Sequence, residues 1–247
     1  VSLGATTVAA GSVAAVGLYK LAAAAGDLQE SQNKANVVLG KEGARSLERY
    51  ADSAASAAGI SKRAATDAAS TFAIFGKSAG LQGQGLADFS VELTQLAGDL
   101  ASFSNTSPEE AITAIGAALR GESEPIRQYG VLLDDATLKS RALELGLYDG
   151  TGALTQQQRV LAAQAEILSQ TTDAQGDFNR TSDSLANQQR ILAAEFENTK
   201  ASIGEALLPA FQSIVGGVSD AVGAFNSLSD ESKSAIGQVA GLATAAT

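Results

Sequence analysis

Three short stretches hold side chains that could do chemistry. Glu109-Glu110 and Glu122-Ser123-Glu124 each bring two carboxylates close together, the raw material of acid–base catalysis. Gly76-Lys77-Ser78 has the ending of a phosphate-binding loop. None of the three carries further. Adjacent residues of a helix diverge by about 100°, so Glu109 and Glu110 do not converge on one substrate. Glu122 and Glu124 flank the turn begun by Pro125, with no His anywhere to serve as partner. The first glycine of a phosphate loop would fall at position 71, which is Thr71, and no strand pattern precedes it. His, Cys, Met and Trp are all absent, which removes disulfides, the usual zinc, iron and copper ligands, and Cys- or His-based nucleophiles. No run has the acidic spacing of a calcium loop. The residue types therefore point to no catalytic residue, no metal and no cofactor.

What remains is the scaffold. Of the 247 residues, 45% are hydrophobic but only 5% aromatic, and alanine is the most frequent residue. Alanine is the strongest helix former and buries little area, so such a chain must bring helix backbones close together. The net charge is −10 and no basic run exceeds Ser61-Lys62-Arg63, which gives sequence-specific nucleic-acid binding no electrostatic footprint. The missing Met and the apolar start at Val1 point to a piece of a longer chain.

The pattern divides into three parts. Residues 1–26 form an apolar Ala/Gly-rich helix, long enough to cross a bilayer but built from small side chains, so that burial or self-association is the preferred reading. Residues 27–180 read as a multi-helix domain. Helices are expected over 27–58, with Val37, Val38, Leu47 and Tyr50 as the larger apolar side chains, and over 61–76, followed by a glycine-rich connection at 76–85. Leu86, Phe89, Leu93, Leu96, Leu100 and Phe103 recur three or four apart on one face. Ser107, Pro108 and Glu110 spell a helix start, and Thr155 with Gln158 a second one. The Asp-Gly turn at 149–150 leaves room for a small β-hairpin near 147–155. Residues 181–247 read as a long helix with a kink or break at Pro209, then apolar carboxy-terminal helices. There Leu185, Leu192, Phe196, Ile203, Leu207, Phe211, Ile214 and Val218 form a seam near the 3.5-residue repeat of a coiled coil. The fold class expected is all-α, an elongated, coiled-coil-like helical bundle.

Two stretches carry a resemblance. One runs from Arg120-Gly121 through Tyr129-Gly130-Val131 and Asp134. The other holds Gly176-Asp177-Phe178, Arg180-Thr181, Ser184-Leu185-Ala186-Asn187-Gln188 and Gly204 through Leu208-Pro209. In this order they resemble the tail tape measure proteins of long-tailed bacteriophages, most closely over 107–212. The resemblance implies a non-enzymatic virion protein, assembled in the host cytoplasm. It would lie in the tail lumen, set tail length and leave at DNA ejection. The implied partners are tail tube protein and tail-assembly chaperones, together with self-association and host-membrane contact during ejection. The competing reading is a membrane-active helical translocation or pore-forming module, favoured by the apolar runs at 1–26 and 205–247.

Overall fold

The computed structural model describes the backbone of residues 3–226 and the side chains of residues 19–210, 212 and 213. The chain is all-α. Its elements are α1 (Leu3–Ala58), α2 (Lys62–Ser78), α3 (Gly83–Ser104), α4 (Pro108–Arg120), a 3-10 turn (Pro125–Tyr129), α5 (Asp135–Glu144), α6 (Gln156–Gln170), α7 (Asp177–Arg180) and α8 (Leu185–Asn226). The apolar helix expected at 230–246 lies outside the described residues.

The helix starts obey the local code. The Ser61 hydroxyl accepts from Ala64 N–H, Ser107 from Glu110 N–H, and Asp134 from Thr137 N–H. Thr155 and Gln158 make the reciprocal capping box. The apolar stripe of α3 is the spine of the core. Phe89, Leu93, Leu96 and Leu100 pack with Phe72 of α2, Ile115 and Leu119 of α4, and Val160 and Ile167 of α6; Phe103, the last of that series, is exposed. A second cluster joins Leu39 and Leu47 of α1 to Ala69, Ala73 and Leu86. Val37, read as part of that apolar face, points outward instead.

Four expectations are corrected. First, no break separates residues 1–26 from 27–58, because α1 runs through both. Its interruption comes at Gly40, whose φ of 71° and ψ of 172° only glycine adopts at little cost. Second, Gly76-Lys77-Ser78 is the last turn of α2 rather than a loop, with Gly76 packed against Leu86 and Phe89. Third, no strand occurs among the described residues. The 147–155 segment is instead a turn closed by its own side chains: Asp149 accepts from Thr151, and the Tyr148 hydroxyl donates to the Gly152 carbonyl. Fourth, of the kink or break expected at Pro209 the break does not occur, since α8 continues through it. Pro209 supplies no N–H to the Glu205 carbonyl, and both residues are exposed. Among the described residues, no helix is long and apolar enough to cross a membrane.

The amino-terminal part of α1 pairs with α8 through small residues. Ala22, Ala25 and Leu28 of α1 and Ala194 and Ala201 of α8 are all buried. At Gly204 the backbones meet so closely that an added Cβ would overlap the Leu21 carbonyl oxygen. A Gly204→Ala change gains about 1 kcal/mol of helix propensity but must force two backbones apart, an overpacking cost of about 1–3 kcal/mol. Thermal denaturation followed by circular dichroism should therefore give a lower Tm for Gly204→Ala, with the helical signal of the folded state retained.

Candidate functional site

Several of the residues that the sequence marks meet in a polar clasp at the corner where the bundle hands over to α8. The clasp begins in α3 with Asp99, a carboxylate among Leu, Ala and Gly neighbours that is almost fully buried. One of its oxygens accepts the Gly176 N–H at 2.9 Å, and the other accepts the Phe178 N–H at 3.2 Å. Gly176 sits at φ 75°, which aims its own N–H and the first turn of α7 at that carboxylate. Phe178 is thereby driven into the interior, with no exposed surface, against Gly59.

A second layer runs outward from α7. The Ser102 hydroxyl donates to Asp177 at 2.6 Å. The buried Asn187 amide donates to Ser102 at 2.9 Å and to the Thr181 carbonyl at 3.1 Å. Its oxygen accepts from Arg190 at 2.7 Å. Arg190 also donates to the Ala101 and Thr106 carbonyls and to the Asn105 side chain, so its guanidinium sits on the carboxy-terminal end of α3. A cation there is favoured by the helix dipole. Two turns further on, the Asn198 oxygen accepts the Lys62 N–H at 2.8 Å, so α8 also helps to cap α2.

Thr106 links the two marked stretches. Its carbonyl accepts from Arg190, while its hydroxyl hydrogen-bonds the Tyr129 hydroxyl at 2.9 Å. Tyr129 and Gly130 close the 3-10 turn, and Gly121, at φ 96°, closes α4. Arg120 pairs with Glu122, and Glu124 with Arg127, as surface ion pairs. The structure thus brings Gly176, Asp177, Phe178 and Asn187 together and reaches Tyr129 through one intermediary. Arg120 lies outside the clasp at the α4 end, and Pro209 lies far along α8. Four working parts had not been read from the sequence: Asp99, Ser102, Thr106 and Arg190. Of these only Asp99 left a signal, as a lone acid in the apolar run Leu96-Ala97-Gly98-Asp99-Leu100.

The electrostatics fit a structural joint. Burial pushes the Asp99 carboxyl above its ordinary value and the Asp177 charge adds to this; the two backbone N–H groups and Arg180 pull the other way. Burial also raises Tyr50, whose hydroxyl has no hydrogen-bond partner and lies within the field of Asp99. Among the described residues no group of three or more acidic side chains could hold a metal ion. Glu109 and Glu110 are exposed in the first turn of α4, as the capping reading requires.

The predicted seam lies apart from this clasp. Leu185, Leu192, Phe196 and Ile203 are exposed, and Leu207 is half-buried. The intrachain packing of α8 uses Asn187, Ala194, Ala201 and Gly204 instead, on the other side of the helix. The side chains of Phe211, Ile214 and Val218 lie outside the described residues. No protein-family model, no curated protein and no solved structure matches the chain.

Two outcomes test the clasp. Asp99→Ala strands two buried N–H groups, at about 1–3 kcal/mol each, and should lower the unfolding free energy by about 3 kcal/mol in urea titration. The second concerns pH. The folded chain holds the Asp99 proton more tightly than the unfolded chain does, so ionised Asp99 reduces stability at neutral pH. That penalty disappears as pH falls below the unfolded value, about 3.9. Asp99→Asn cannot titrate. Between about pH 7 and about pH 4, the Tm of the native chain should therefore rise relative to that of Asp99→Asn.

Proposed function

We propose that this chain is a helical segment of a phage tail tape measure protein, a structural ruler rather than an enzyme. The observation that carries the reading is the clasp. The stretches that resemble that family supply its parts: Gly176, Asp177, Phe178, Thr181 and Asn187 directly, and Tyr129 through Thr106. A joint of this kind fixes the direction in which a long helix leaves a bundle, which a ruler requires and a catalyst does not.

The dimensions agree with the reading. A helix advances about 1.5 Å per residue, so the 42 residues of α8 extend about 63 Å. The carboxylates suit it as well, since those of Asp99, Asp134, Asp177, Glu122 and Glu124 are occupied by N–H groups, a hydroxyl or surface ion pairs. In this role the chain occupies the lumen of a tail, tail tube protein assembles around it, and tail-assembly chaperones keep it extended beforehand. Its acidity limits premature association with DNA.

The test is tail length. In-frame deletion of whole turns from α8 beyond Asn198 should shorten tails by about 1.5 Å per residue removed, measured by electron microscopy of negatively stained particles. Tails of unchanged length would count against a ruler role for α8.

A further inference from the structure

We propose that the bare face of α8 docks a second copy of this chain, aligned parallel and in register. At about 100° per residue, the inner side of α8, marked by Asn187 against α3 and by the buried Ala194 and Ala201, lies opposite Leu185, Leu192, Phe196 and Ile203. Those four side chains are 75%, 71%, 63% and 46% exposed. Gln189 and Thr199, which complete the sequence of steps between them, are exposed too. The intervals from Leu185 to Ile203 are then four, three, four, three and four. That is an uninterrupted heptad pattern, with Leu185, Leu192 and Thr199 at d and Gln189, Phe196 and Ile203 at a. A solvent-facing row with large apolar side chains at four of its six positions marks an interaction site. The 3.5-residue period specifies the shape of the partner, another helix with the same repeat.

The flanking charges choose the partner and its direction. In this register Glu195 occupies g and Lys200 occupies e, five residues apart. In a parallel pair of identical helices, g of one copy faces the e position five residues on in the other, so Glu195 meets Lys200 of the second copy twice, once on each side of the seam. An antiparallel pair sets g against g and e against e, and the opposite charges never meet. Lys200 is already held at the edge of the stripe, its ammonium 5.1 Å from the centre of the Phe196 ring and paired with Glu197. Gln189, at a, supplies a polar layer that penalises a slipped register. A membrane surface is a poorer occupant, because Glu195 borders the stripe and would face anionic headgroups, and two of the six stripe positions, Gln189 and Thr199, are polar.

This inference goes beyond the ruler reading and does not depend on it, since it concerns the isolated 247-residue chain. Analytical ultracentrifugation over a concentration series should give the mass of two chains. Glu195→Lys and Lys200→Glu each set like charges together and should each weaken the pair by about tenfold. The double variant should restore the native affinity, and a mixture of the two single variants should associate with each other. The exposed positions of these residues leave the fold intact, which circular dichroism checks. Because the sequence contains no cysteine, Leu192→Cys gives a single thiol that should form an interchain disulfide under mild oxidation in a parallel, in-register pair. A chain that stays monomeric, a mass other than two chains, charge variants without reciprocal rescue, or a Leu192→Cys chain that never cross-links each overturns the proposal. So does flotation with anionic vesicles in place of self-association.

Discussion

Asp99 stands on a helix face that is otherwise Leu, Ala and Gly, and its two oxygens receive the N–H groups of Gly176 and Phe178. Burying a carboxylate is costly unless its lone pairs are filled, and here backbone donors fill them in a place water hardly reaches. Everything downstream follows from that capture. It sets the first turn of α7, places Phe178 under Gly59, and brings Asn187 and Arg190 within reach of the end of α3. The direction of α8 is the result. A side chain with fewer acceptors would satisfy one N–H and strand the other.

From that corner, α8 presents two unlike faces. Inward it offers Asn187 to the end of α3 and then the small residues Ala194, Ala201 and Gly204, and at Gly204 its backbone nearly touches that of α1. Contact at this distance favours dispersion over buried area, and each atom gains little except through number. Away from α1 it offers leucine, phenylalanine and isoleucine to solvent. A folded chain that kept its larger apolar residues for its own interior would have reversed this arrangement.

The all-α class was legible because alanine content and spaced proline leave little else. The starts of α2, α4 and α6 were legible because Ser61, Ser107 and Thr155 act through bonds only three residues long. The core stripe of α3 was legible because Leu86 to Leu100 repeats with the period of a helix. The inner face of α8 was not. A periodicity search ranks residues by size, and so it chose Leu192 and Phe196 over Ala194 and Ala201; the helix pair selected for closeness instead. The clasp was only half visible for a related reason. Gly176, Asp177, Phe178 and Asn187 lie in a recognisable stretch, but their partners Asp99 and Ser102 come from about eighty residues away, and no local spacing connects them. At Pro209 the loss of one backbone bond left a kink and a break both open, and the continuous α8 removes the break.

The bend at Gly40 lies inside the packed bundle, since Leu39 just before it and Leu47 beyond it are both buried against Ala69, Ala73 and Leu86. A Cβ on Gly40 would meet nothing within 4 Å, so crowding does not ask for glycine there; the φ of 71° does. A larger residue has room for its side chain at that point but not for its backbone, so α1 changes course at a position chosen by torsion angle alone.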